Sequence, residues 1–179
     1  MVLIFFDIML KDKYKKLGKN KIKWCEFKKI AKIQIFKIFP NYFGNISNEY
    51  IHSLLLDKNN HIIFNSIDSQ FSISNITSIL IYHKTKSKYF NKYYILLLGT
   101  HYKCRHVGYG KLFLDEFITW IKQSNNINNK IILKSTNSSI NFYISYGFTK
   151  TNISYCKLLY KYEPLTEFKN NTNILEFFI

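Results

Sequence analysis

A chain of 179 residues, 47% hydrophobic and 21% charged, is sized for one domain around one core and is too apolar to be disordered. Its formal charge of +15 rests on 26 basic residues of which only Arg105 is arginine, and the abundance of Lys, Asn, Ile, Tyr and Phe is what an AT-rich genome writes, so the charge alone does not call for a nucleic-acid partner. No apolar run reaches the roughly 18 residues that cross a membrane, and Cys25, Cys104 and Cys156 are scattered without a CxxC pair, which sets aside a transmembrane protein, a disulfide framework and a zinc site.

The opening residues 2–10 are apolar, carry Asp7, and run into lysines rather than small residues. They read as a first strand and not a signal peptide, and the unpaired cysteines place the chain in the reducing cytoplasm. Residues 27–39 set Ile30, Ile33, Ile35, Ile38 and Phe39 among lysines, the pattern of an amphipathic helix stopped by Pro40. Residues 48–56 form a second helix with Ser47 as its cap. A turn over 57–60 leads to a strand over 61–67. Strands over 76–82 and 93–98, joined by the polar stretch 84–88, form a hairpin. Residues 111–122 place Leu112, Phe113, Phe117, Trp120 and Ile121 on the core face of a helix. After an Asn-rich loop come a strand over 131–134, a helix over 138–146 and a final strand over 155–161; the tail after Pro164 has no assignment. The order predicts an α/β fold. Its sheet is mixed, antiparallel in the N-terminal half, with a parallel pair made by 93–98, the helix over 111–122 and 131–134.

Chemistry concentrates between the strand over 93–98 and the helix that follows it. Arg105-His106-Val107-Gly108-Tyr109-Gly110 is a glycine loop running into a helix start. Glycine lets a ligand approach the backbone, and the N–H groups and dipole of a helix start favour an anion such as pyrophosphate. A dinucleotide fingerprint is the weaker alternative, because a third glycine and a following acidic residue are missing.

The segment YYILLLGTHYKCRHVGYGKLFL, Tyr93 to Leu114, resembles the coenzyme A-binding segment of the GNAT superfamily of acetyltransferases. Arg105, Gly108 and Gly110 meet that family's signature of Arg or Gln, two variable residues, Gly, one variable residue, and Gly or Ala. Asn137 to Phe148 resembles the family's later helix, with its aromatic pair and Gly-Phe. The resemblance implies a GNAT-like fold over residues 1–165 and acetyl-CoA as cosubstrate, with no metal. It further implies an N-acetyltransferase that passes the acetyl group directly to a primary amine, as a monomer or homodimer. Carried over by position, Leu98, Gly99 and Thr100 occupy the stretch where two parallel strands splay and backbone groups hold the pantetheine arm and thioester carbonyl. Arg105, His106, Val107, Gly108, Tyr109, Gly110 and Lys111 surround the pyrophosphate, Asn137 holds coenzyme A, and Tyr143 is the general acid for the leaving thiolate. Gly99 is expected at a bulge. His106 stands where the family often has glycine.

The general base is missing from this pattern. No carboxylate lies between Lys92 and Lys111, where several family members carry a glutamate. His101 and His83 are the candidates, acting through water. The missing carboxylate leaves open a GNAT-like module that binds coenzyme A or a partner without catalysis; a basic nucleic-acid-binding protein ranks last. The acceptor itself is not named by the sequence.

Overall fold

The computed structural model describes residues 2–6, 36–44, 46–57, 59–66, 75–86, 89–124, 128–151 and 172–179. The strand expected over 155–161 lies outside them, as does most of the helix expected over 27–39. In chain order the elements are β1 (Val2–Phe6), α1 (Phe36–Phe43), α2 (Asn48–Leu56), β2 (Asn60–Ser66), β3 (Ile76–Lys86), β4 (Asn91–Thr100), a 3-10 turn (Tyr102–Cys104), α3 (Tyr109–Ser124), β5 (Asn129–Thr136), α4 (Ile140–Ile144), β6 (Thr149–Lys150) and β7 (Thr172–Phe178).

Among the described residues, seven strands form one sheet in the order β1-β2-β3-β4-β5-β7-β6. Every pairing is antiparallel except β4 with β5, the pair that the sequence predicts. The tail left without an assignment supplies β7, which inserts between β5 and β6.

Both faces of the sheet are covered. On one, Ile62, Phe64, Ile79 and Ile81 pack against Phe39 and Tyr42 of α1 and Tyr50, Ile51 and Leu54 of α2. On the other, Ile63, Leu80, Tyr82, Tyr93 and Ile95 pack against Phe113, Leu114, Phe117, Ile118 and Ile121 of α3. Burial on both faces explains the unbroken apolar run in β3, since a strand with no solvent face gains from apolar residues at every position. α3 is rotated slightly from its expected face. Leu112 is largely exposed, and Leu114 and Ile118 take the core positions.

Two helix ends follow local rules with different success. Ser47 caps α2, its hydroxyl accepting from the Tyr50 N–H at 3.1 Å. Pro40 does not stop α1: the helix runs on to Phe43, with Pro40 inside it and exposed. A proline deletes one N–H donor and one i→i−4 hydrogen bond, and the helix continues past it here. The stop is Gly44, at φ 68°, whose N–H bonds the Pro40 carbonyl at 3.0 Å. Among the described residues no helix is long and apolar enough to cross a membrane.

Candidate functional site

The site is built where β4 and β5 part. Their parallel register runs from Asn91–Asn129 to Ile95–Leu133 and stops, although β4 continues to Thr100 and β5 to Thr136. On its other edge β5 pairs with β7 along Lys130–Thr136. At the same point β4 carries a bulge: Ile81 pairs with Leu97 and Tyr82 with Ile95, so Leu96 is the extra residue. The bulge is therefore at Leu96 and not at Gly99. Its effect is one of parity. Tyr93 and Ile95 face α3, and beyond the extra residue Leu98 packs on that same core. Gly99 then faces α1 and Thr100 faces the start of α3.

Each of these last three residues of β4 meets a different wall. Gly99 is buried under the Phe43 ring of α1, and a Cβ there would collide with that ring. Glycine is needed for close approach, not for an unusual backbone. The Thr100 hydroxyl lies 3.2 Å from that of Ser78 on β3. A Cβ on Gly110 would come within 2.9 Å of that same Thr100 oxygen, so glycine there lets the first turn of α3 seat against the end of β4 without displacing the Thr100 side chain.

The glycine loop has its own geometry. Gly108 is at φ 89°, and a Cβ on it would point into open space. Its carbonyl accepts from the Leu112 N–H at 3.0 Å, so Gly108 is the cap position of α3. Helix geometry then leaves the N–H groups of Gly108, Tyr109, Gly110 and Lys111 without intrahelical partners. Val107 and His106 are exposed at the loop tip, and His106 is held at φ 64°. An L-residue in this left-handed region carries about 1 kcal/mol or more of strain. His106→Gly is expected to raise stability by about 0.5–1 kcal/mol, the strain relieved less the entropy that glycine adds to the unfolded chain. Thermal denaturation reads this directly; an unchanged or lower midpoint would mean that the histidine side chain offsets its backbone cost.

Arg105 does not stand free beside the loop. Its Nε donates to the Thr100 carbonyl at 3.3 Å and its Nη2 to the Tyr42 carbonyl at 3.1 Å. His101 caps the short 3-10 turn: its Nδ1 accepts from the Lys103 N–H at 3.2 Å. Its ring stacks on Tyr102 and meets the edge of Tyr42. Burial, then the cations of Lys103 and Arg105, hold its pKa below the usual imidazole value. It is therefore neutral at pH 7. With Nδ1 accepting from the backbone, the proton of the neutral ring sits on Nε2. His83 is buried, with Nδ1 paired to Asn60 Oδ1 at 2.9 Å.

α4 carries Tyr143, 8% exposed and packed on Phe142 and Phe148. Burial raises its pKa above that of an ordinary phenol, so it keeps its proton. The next turn ties α4 to α3, with the Tyr146 hydroxyl donating to the Lys111 carbonyl at 2.6 Å. Asn137 is exposed on the turn after β5, its Oδ1 accepting from Asn173 of β7 at 2.9 Å. It does not cap α4, whose cap position is Ser139.

The structure thus gathers Leu98–Thr100, Arg105 and Gly108–Lys111 in one place, and Tyr143 shares the α3-side core with Leu98. Tyr42, Phe43 and Ser78 join them without having been singled out from sequence. None of the three carried a sequence signal: Ser78 follows Thr77 at the start of β3, ahead of the apolar run Ile79–Tyr82, and the contacts of Tyr42 and Phe43 are long-range. Among the described residues no three His, Cys, Asp or Glu side chains gather to hold a metal ion.

No family model matches the chain, and no curated protein does. Solved structures do. Gcn5 of Tetrahymena superposes with a TM-score of 0.60 at 17% identity, covering 88% of this chain and 90% of its own. NAA60 of Arabidopsis thaliana in complex with acetyl-CoA gives 0.55 at 14% identity, over 88% of this chain and 96% of its own. An acetyltransferase of the GNAT family from Streptococcus pneumoniae gives 0.51 at 13% identity, over 85% and 94%. At these identities the likeness establishes the fold: the chain has the fold of the GNAT acetyltransferases.

Proposed function

We propose that the chain is an N-acetyltransferase that binds acetyl-coenzyme A and passes the acetyl group directly to a primary amine. The observation that carries this reading is the parting of β4 from β5 after Ile95–Leu133, followed at once by a glycine loop that opens a helix. The residues present suit the cosubstrate. Gly108 leaves open space before four N–H groups of a helix start, and no carboxylate lies between Lys92 and Lys111 to repel phosphate. Arg105, His106, Val107, Gly108, Tyr109, Gly110 and Lys111 form the phosphate-binding loop in this account, and Asn137 offers its Nδ2 at the end of β5.

Acetyl-coenzyme A supplies the activated thioester. The protein holds and polarises it. Beyond Ile95 the backbone of β4 has no β5 partner, and strand alternation, with the His101 N–H bonded to Thr77 of β3, turns the N–H groups of Leu98 and Thr100 to that open edge, placed to bond the pantetheine arm and the thioester carbonyl. Tyr143, kept neutral by burial, has a proton to give to the departing thiolate.

Neither histidine candidate is suited to take a proton from the amine: Nδ1 of His101 accepts from the Lys103 N–H, and Nδ1 of the buried His83 is paired with Asn60. The acceptor must therefore arrive neutral. At pH 7 an α-amino group, titrating near 7.7–8.0, is neutral roughly three hundred times as often as a lysine side chain at 10.4. The acceptor in this account is a low-pKa amine such as a protein or peptide N-terminus. The same missing base favours a second reading, a GNAT-fold protein that binds coenzyme A without turning it over.

Both readings require the cosubstrate to bind. Acetyl-coenzyme A at a hundred times its dissociation constant should stabilise the fold by about 2.7 kcal/mol. A melting midpoint that does not move at any concentration would remove both.

A further inference from the structure

The last turn of α1 is held to the end of β4 by more contacts than packing requires. The Tyr42 hydroxyl donates to the Ile76 carbonyl on β3 at 2.7 Å. The Tyr42 ring lies against His101, and the Phe43 ring covers Gly99. The Tyr42 carbonyl, in the final turn of α1, accepts from Arg105 Nη2. A cation at a helix C-terminus is favourable on two grounds, since that carbonyl lacks an intrahelical donor and the dipole there is negative. Through Nε the same guanidinium bonds Thr100, one residue beyond Gly99.

Two carbonyls from separate parts of the chain need two donors at a fixed spacing. A planar guanidinium fork provides that, and a single ammonium does not. Of the 26 basic residues, 25 are lysine, and the one arginine sits at this junction.

We infer that Arg105 is a positioning residue that couples α1 to the glycine loop, so that filling the loop fixes α1 beside the acyl site. The inference rests on the acetyltransferase reading for what fills the loop. α1 forms the wall over Gly99, so its placement sets the shape of the opening by which an acceptor reaches the end of β4. Binding at the loop restrains Arg105, and Arg105 in turn restrains the Tyr42 carbonyl.

Amide hydrogen exchange on the full chain tests this, with coenzyme A as the probe, for the parent protein, Arg105→Lys and Phe43→Ala. In the parent, coenzyme A should slow exchange both in residues 105–111 and in residues 36–44. In Arg105→Lys, which keeps the charge and loses the fork, α1 should exchange roughly tenfold faster without ligand, the loss of one charge-assisted hydrogen bond. Coenzyme A should still protect the loop of that variant but no longer α1. Phe43→Ala removes the ring of α1 that covers Gly99 of β4, and there coenzyme A should still slow α1. Equal protection of α1 in the parent and in Arg105→Lys would overturn the inference. So would loss of that protection in Phe43→Ala alone, which would put the coupling in the Phe43–Gly99 contact. If coenzyme A protects neither segment of the parent, the cofactor reading itself fails and the coupling fails with it, a result distinct from the other two.

Discussion

Tyr143→Phe is expected to lower turnover by about tenfold to a thousandfold, somewhat below the roughly 10²–10⁴-fold of a full general acid, while the dissociation constant for coenzyme A changes by less than about threefold. The substitution removes the hydroxyl and keeps the ring that packs on Phe142 and Phe148. Folding should therefore be undisturbed. Burial raises the Tyr143 pKa, so the phenol stays protonated through the physiological range and any alkaline limb of the pH profile in that range does not come from this residue. The effect stops short of the largest known for general acids because a thiolate, from a thiol titrating near 8.5, leaves with only partial help. Unchanged turnover on a good acceptor would make Tyr143 a core tyrosine and leave protonation of the thiolate to water.

The second large effect is expected at Gly108. Gly108→Val should weaken coenzyme A binding on the order of a hundredfold or more, as several charge-assisted hydrogen bonds are lost together. The free protein should still fold, since a Cβ at Gly108 meets no atom. It should fold less stably, by roughly 1–3 kcal/mol, because a β-branched residue is strained at φ 89°. Escape from that strain would turn the loop and misdirect the N–H groups at the start of α3. Titration of coenzyme A into the folded variant measures the loss. Binding within threefold of the parent would show that the anion site lies elsewhere.

Sequence legibility followed the range of the interactions involved. α2 and its Ser47 cap were readable because a cap is a contact within four residues. The glycine loop and its helix were readable because Gly108 and Gly110 do local work, one through backbone conformation and one through close approach to Thr100. The bulge was not readable. Ile95, Leu96, Leu97 and Leu98 are all apolar, so an extra residue leaves no break in alternation. Pro40 misled as a helix stop, although Gly44 four residues later carried the true signal. β7 was hidden for a topological reason: it pairs with β5, about forty residues away, and nothing local in residues 172–178 states that partner. For the candidate site, the glycine loop is legible in the sequence as a local pattern, Gly108 and Gly110 running into a helix start. The capping role of His101 and the two carbonyls held by Arg105 are not, because each depends on where backbone groups lie in space.

Transfer to a low-pKa amine is tested most directly by following release of the free thiol of coenzyme A from acetyl-coenzyme A. The acceptors are two peptides, one with a free N-terminus and no lysine, the other with a blocked N-terminus and one lysine. The account predicts turnover on the first, rising with pH through about 7.7–8.0 as the α-amine loses its proton, and at pH 7 roughly a hundredfold or more less on the second. Saturable binding of acetyl-coenzyme A with no thiol release from either peptide or from a wider set of amines would contradict it and leave a binding module with the fold of an enzyme.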